Sequence, residues 1–229
     1  MITIDHLTMR FGRSTAVDDV SLKIGAGESV ALWGDNGAGK TTIIRCVLGL
    51  LRYQGLIQIG PFDARKKGKH ARQLIGYVPQ ELGFYDDLRV GEAVRFFARL
   101  KGHPVDNAEK VLAGVGLDGH GRKRIRDLSG GMKQRLALAI ALFGNPPVLV
   151  LDEVTASLDA CGRDEFVALL AEFRRSSQCA MLFASHRREE IEALATRVIT
   201  LEKGRIIRDR AIESPIEDEE YPRLQEVVA

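Results

Sequence analysis

Apolar and polar residues alternate along the first third of the chain. ITIDHLTMRF (2–11) and AVDDVSLKI (16–24), with a GRST turn between them, have the two-residue period of half-buried antiparallel strands. ESVALWG (28–34) is a denser apolar run and predicts a buried strand that runs straight into a glycine-rich loop. TTIIRCVLGLL (41–51) then predicts a helix, and GLIQIG (55–60) and LIGYVPQ (74–80) return to strand. Between those two strands, the basic stretch ARKKGKHAR (64–72) holds a glycine and lacks amphipathic order, so it is expected to be a solvated loop.

The period changes in the middle. GEAVRFFARLKG (91–102) and DNAEKVLAGVG (106–116) have helical spacing and end on glycine, so 84–128 is read as a small helical subdomain inserted into a sheet domain. A helix over 130–143 follows, then a buried strand in PVLVLDE (147–153), a helix in GRDEFVALLAEFRR (162–175) and a strand in CAMLFASH (179–186). RREEIEALA (187–195) predicts a helix, and VITLEKGRIIRD (198–209) a hairpin turning at Lys203-Gly204. Strands alternating with helices imply an α/β fold, with a mixed sheet core, crossover helices and an N-terminal antiparallel β subdomain. The whole chain, 1–229, is expected to be one domain, with its core in 1–83 and 129–212. The acidic, proline-containing end ESPIEDEEYPRLQEVVA (213–229) is expected to be a loosely held surface segment.

Composition narrows the function without deciding it. The chain has 229 residues, 45% hydrophobic and 28% charged, with a net charge of +2. No global field therefore points to nucleic acid or an acidic surface, and no nucleic-acid partner is expected. Cys46, Cys161 and Cys179 are far apart without a CxxC, and are expected to be buried small residues in a reducing compartment. MITIDHLTMRF does not look like a signal peptide, and no run approaches the ~20 apolar residues of a membrane span. A cytoplasmic protein is expected.

The candidate chemistry sits in two places. GDNGAGKT (34–41) matches G-x-x-x-x-G-K-[ST] through Gly34, Gly39, Lys40 and Thr41, a pattern met by accident on the order of once in a hundred such chains. An apolar strand precedes it and a helix follows, as a phosphate cradle requires: loop amides and the helix N-terminus face phosphate oxygens. Lys40 would neutralise the outer phosphates, Thr41 would offer a hydroxyl to magnesium, and the segment Gly34, Asp35, Asn36, Gly37, Ala38, Gly39, Lys40, Thr41 and Thr42 is expected to bind a nucleoside triphosphate. VLVLDEVTASLD (148–159) supplies the second half: Asp152 at a strand end can hold magnesium or its water, and Glu153 can accept a proton from the attacking water.

LSGGMKQR (128–135) is the third piece, a second glycine-bearing helix start. With it in line, the sequence resembles the ATPase subunits of ABC transporters from about Ile2 to Asp209. The resemblance implies a P-loop NTPase (RecA-like) core, ATP and Mg2+ as ligands, and ATP hydrolysis. It also implies that Phe11 stacks on adenine, that Gln80 senses magnesium and the membrane partner, and that Asp159 links the two sites of a dimer. His186 would hold the γ-phosphate and act in catalysis beside Glu153 and Lys40. In that family Ser129, Gly130 and Gly131 would cover the γ-phosphate held by the glycine loop of the opposite subunit, so a head-to-tail pair, expected to be a homodimer, would complete two sites.

Four positions depart from the family pattern. Val154 and Ser157 stand where proline and glycine are usual, Asp35 replaces a common proline, and Trp33 is bulkier than the usual residue before the first glycine. The resemblance further implies a separate integral membrane permease, with this chain peripheral on the cytoplasmic face of the inner membrane. QELGFYDDLRVGEAVRFFARLKG (80–102) looks closest to exporter-type ABC-2 systems, a group that includes multidrug, polysaccharide and nitrous oxide reductase maturation systems, and the 84–100 surface would receive the permease. The competing readings are an ABC-family ATPase acting on ribosomes or DNA, and a nucleotide kinase or GTPase. A second ATPase domain or long coiled-coil insertion would favour the former, and an NKxD motif the GTPase; the chain has none of these.

Overall fold

The computed structural model of the protein describes residues 1–212, and the acidic stretch 213–229 lies outside them. The N-terminal alternation produces two long strands, β1 (Ile2–Phe11) and β2 (Ser14–Ile24), antiparallel to each other. Their inward residues Ile2, Ile4, Leu7, Val17, Val20 and Ile24 are buried, while His6 and Asp19 adopt left-handed φ where the register shifts. The apolar run β3 (Ser29–Trp33) is buried along its whole length and opens into the loop that precedes α1 (Lys40–Val47). That helix stops short of the predicted position 51, because Gly49 turns the chain with a φ of 70°.

Next come β4 (Gln54–Ile59), the two-residue β5 (Phe62–Asp63) and α2 (Gly68–Gln73). The solvated-loop expectation for 64–72 is therefore corrected: part of it is a short helix whose Ala71 is buried against the core, so tertiary packing, not periodicity, decides its state. β6 (Ile75–Val78) leads to α3 (Val90–Leu100) and α4 (Ala108–Ala113), then a single 3-10 turn at Ile125–Asp127. α5 (Gly130–Leu142) is capped by Ser129, whose hydroxyl accepts from the Met132 amide at 3.3 Å. β7 (Val148–Asp152) is followed by α6 (Ala160–Ser176), which starts two residues before the predicted 162 because Asp159 caps it, accepting from the Gly162 amide at 2.7 Å. β8 (Ala180–Ala184), α7 (Arg188–Leu194), β9 (Arg197–Glu202) and β10 (Arg205–Ala211) complete the described chain, and the last two form the hairpin across Lys203-Gly204.

Two sheets result. One is antiparallel, ordered β2-β1-β4-β5; the other is ordered β10-β9-β3-β8-β7-β6, parallel except for β10. Each central strand of the second sheet feeds both of its faces. Val30 and Leu32 of β3 join α1 and the antiparallel sheet in one core, while Ala31 and Trp33 join α3, α5, α6 and α7 in another. This double burial is why β3, β7 and β8 read as unbroken apolar runs. Trp33 spends its bulk on that second core, and Val154 is buried there too, so both departures are taken up by packing.

The carboxyl ends of β3, β7 and β8 lie side by side, with Asp152 registered against Ala184, so the loops that leave them share one edge of the sheet. All three cysteines are free; Cys46 is buried as expected, Cys179 is half-buried, and Cys161 is exposed on the first turn of α6, against the expectation.

The seat of α5 is tight. A Cβ on Gly76 of β6 would stand 2.4 Å from the Ala141 carbonyl oxygen of α5. Gly76→Ala should therefore push α5 off the sheet and lower stability by about 1–3 kcal/mol, the usual cost of overpacking. Urea denaturation measures this, and an unchanged midpoint would show that α5 can give way freely.

Candidate active site

The loop between β3 and α1 is shaped by glycines that nothing else can replace. Gly34 has a φ of 148° and Gly39 a φ of 108°; Cβ atoms there would fall 2.4 Å from the Leu201 carbonyl oxygen and 2.7 Å from that of Ala16. The loop is thus wedged between β9 and β2, and the Gly204 amide of the β9–β10 turn donates to the Ala38 carbonyl at 3.0 Å. Lys40, at the start of α1, is only 4% exposed. Its Nζ donates to the Gly34 carbonyl at 2.7 Å and the Asp35 carbonyl at 3.1 Å, and lies 3.5 Å from Glu153 Oε1.

The residue before α1 is Gly39, which has no side chain to cap it, and the first turn of the helix holds no acid. The first amides of a helix have no acceptor within it, so the α1 start combines free donors, a positive helix end and a buried ammonium. That set suits a polyanion such as the phosphates of ATP.

Asp152 ends β7 and is 2% exposed; Thr41 Oγ1 donates to its Oδ1 at 3.0 Å. Burial holds its carboxyl above the ordinary value of 3.8, opposed by the Thr41 hydrogen bond and by the charges of Arg45 and Lys40, while Glu153 adds to the rise. Asp152, Thr41 and the Gln80 side-chain carbonyl are hard oxygen donors of the kind magnesium takes, in small number, alongside phosphate.

Glu153 sits in a left-handed backbone conformation, φ 46°, with its amide donating to the Ala184 carbonyl at 3.1 Å. Holding a non-glycine residue there costs about 1–3 kcal/mol, a strain that recurs at functional positions. Its carboxylate is surrounded: Oε2 accepts a long bond from Gln80 Nε2 at 3.4 Å and lies 3.8 Å from His186 Nδ1, while Oε1 faces Lys40.

The structure thus brings Lys40, Thr41, Gln80, Asp152, Glu153 and His186 together. Phe11 is 52% exposed at the end of β1, so its ring is free of the core; it pairs with Ser14, two residues from the Ala16 carbonyl under Gly39. Ser129, Gly130 and Gly131 are elsewhere. They line a depression of about 420 Å³ with Ser157, Asp159 and Cys161, which shares no residue with the depression of about 370 Å³ walled by Gly34–Ala38 and the β9–β10 hairpin. Sequence reasoning missed the support under the loop, namely Ala16, Leu201 and Gly204, because carbonyls of distant strands leave no local pattern.

Asp152 makes the metal-free protein pH-sensitive in a defined direction. Its raised value means the folded state holds a buried charge that the unfolded chain keeps in water, so stability is lost as pH rises from the ordinary carboxylate value through the raised one. Asp152→Asn keeps the acceptor for Thr41 without the charge. In magnesium-free buffer it should melt above wild type at neutral pH, and the gap should close in acid; a gap that widens in acid would contradict this.

A family model described as ABC transporter matches residues 17–156. The chain is 36% identical to the ABC transporter ATP-binding protein NatA of Bacillus subtilis (strain 168), over 96% of this chain and 93% of that one. It is 32% identical to the linearmycin resistance ATP-binding protein LnrL of the same organism, over 90% and 68%. It is 35% identical to the zinc import ATP-binding protein ZnuC of Roseobacter denitrificans (strain ATCC 33942 / OCh 114), over 88% and 75%. Among solved structures, the dimeric MJ0796 ABC transporter cassette superposes with a TM-score of 0.82 at 24% identity, covering 93% of this chain and 100% of that one, and so shares its fold. A phosphate loop on β3, acids at the end of β7 and a family match through both place the chain in the ABC transporter family, as an ATP-binding subunit that hydrolyses ATP.

Proposed function

We propose that this chain is the motor of a membrane transporter, working as a head-to-tail pair of identical subunits beneath a separate permease. The observation that carries the reading is the setting of Glu153, whose carboxylate faces Lys40, Gln80 and His186 one residue from Asp152. Lys40 and the α1 amides hold the outer phosphates, and Phe11 offers its exposed ring to the adenine. Glu153 takes the proton of a water whose oxygen attacks the γ-phosphorus. The bond to the β-phosphate oxygen breaks, and ADP leaves with the electron pair. His186 steadies the γ-phosphate and Gln80 reports its presence towards the permease side. Magnesium, when bound, would be held by Thr41, Asp152 and Gln80 and would spread the negative charge of the phosphates.

The pairing is supported by the separation of the two depressions within one chain. Ser129, Gly130 and Gly131 form a helix start with no acid in its first turn, a half-site that a second copy's phosphate loop can complete, with Asp159 beside it as the link. The segment 84–128 serves as a helical subdomain that receives the permease. Its exposed Tyr85, Phe96 and Leu100 support that reading, and no helix among the described residues is long and apolar enough to cross a membrane itself. Export is the favoured direction, on the wording of 80–102; relatives named for resistance and for import both stand near the chain, and direction belongs to the permease. The working place is then the cytoplasmic face of the cell membrane.

Two experiments test this. Glu153→Gln keeps size and hydrogen bonding but accepts no proton, so hydrolysis should fall about 10²–10⁴-fold while ATP binding persists and holds two subunits together. Hydrolysis at the wild-type rate would remove Glu153 as the base. Ser129→Arg should bind ATP yet fail to hydrolyse it, and mixing it with Lys40→Ala should restore ATP-dependent pairing or activity, since one of the two mixed sites is whole. Normal hydrolysis by Ser129→Arg, measured with the permease, would refute the shared site.

A further inference from the structure

Glu190 is a carboxylate buried to 5% exposure on α7, outside every motif read from the sequence. Each of its oxygens is held by a hydroxyl from a different loop. Oε1 accepts from Thr155 Oγ1, and Oε2 accepts from Ser185 Oγ at 2.7 Å. Thr155 and Ser185 are themselves buried, at 3% and 2% exposure.

The two loops are the ones that bear the reacting groups. Thr155 lies two residues after Glu153, in a turn closed by the Ala156 amide donating to the Glu153 carbonyl at 3.1 Å and the Leu158 amide donating to the Thr155 carbonyl at 3.0 Å. Ser185 immediately precedes His186. Its Oγ, by donating to Glu190, is left to accept from the Arg187 amide at 3.0 Å, so the residues on both sides of His186 are tied to one oxygen. The Arg187 guanidinium lies 3.8 Å from Glu190 Oε1 and sets a positive charge beside the carboxylate.

We infer that Glu190 is a positioning residue for ATP hydrolysis: it clamps the loop after Glu153 to the turn bearing His186, and so fixes the two side chains across the γ-phosphate position. The inference rests on the hydrolytic reading of Glu153 and His186. A carboxylate is suited to the task because it accepts from both hydroxyls at once, whereas an amide has a single acceptor oxygen and would meet the second hydroxyl only with that hydroxyl turned round. In a buried setting a lost partner is not replaced by water, so the clamp holds or fails as a unit.

The test is a set of coupled variants of the full chain, with rates normalised to the amount of protein that binds a fluorescent ATP analogue. Thr155→Val and Ser185→Ala should each lower kcat by about tenfold to hundredfold, as a misplaced catalytic group does, with KM and analogue affinity within twofold of wild type. In a Glu190→Ala background each should cost less than a further twofold, because the partner is already gone. If Glu190→Ala does not fold, Glu190→Leu, which fills the space and accepts from neither hydroxyl, replaces it, with the same expected lack of additivity. Normal kcat per nucleotide-binding molecule with a lowered melting temperature would overturn the inference, leaving Glu190 as ordinary core support. Fully additive losses, or losses in affinity alone, would overturn it too. Glu153→Gln run alongside keeps the two readings apart, since a wild-type rate there strikes the hydrolytic reading whatever the coupled variants show.

Discussion

The molecule is organised around one costly requirement: an ammonium that is almost entirely removed from water. Burying a charge without partners is strongly unfavourable, and Lys40 is kept tolerable by the Gly34 and Asp35 carbonyls and by the nearby Glu153 carboxylate. Those partners dictate much else. The loop must curl back over its own lysine, which demands left-handed φ at Gly34 and Gly39. It must be backed by strands that approach within the width of a missing side chain, which β2 and β9 do. Glu153 comes from the end of β7, a parallel strand separated from β3 by β8 alone, so the order β3-β8-β7 in the middle of the sheet brings it within reach of Lys40.

The same arrangement explains why the site is polar yet built on an apolar sheet. The three central strands contribute carbonyl ends and turn residues to the edge, while their side chains feed two separate cores. Asp152 is a carboxyl that burial pushes towards its neutral form and that accepts a hydrogen bond from Thr41. A positive charge placed beside it would favour its ionised form.

Much of this was legible in the sequence because the chemistry is local. Gly34, Gly39, Lys40 and Thr41 fall within eight residues, Asp152 and Glu153 are adjacent, and each group follows an apolar run that announces its strand. Ser129 reads in the sequence as a second glycine-bearing helix start, and the structure sets it in a depression that shares no residue with the one beside Gly34–Ala38. What escaped is long-range. The helix in 68–73 is selected by the burial of Ala71, and the exposure of Cys161 follows from a cap at Asp159 that starts α6 early. Thr155, Ser185 and Glu190 look like ordinary turn and helix residues until the fold closes them into one cluster.

The β9–β10 turn has an implication for how this protein can change over evolutionary time. Hairpin tips are ordinarily where chains absorb insertions, since a longer loop costs little and disturbs nothing. Here the Gly204 amide bonds Ala38 and its carbonyl accepts from Asp18, while a Cβ on Gly204 would meet the Ala16 carbonyl oxygen at 2.7 Å. The tip is a keystone between the antiparallel sheet and the phosphate loop. A single residue added at Lys203-Gly204 would be felt at the glycine loop.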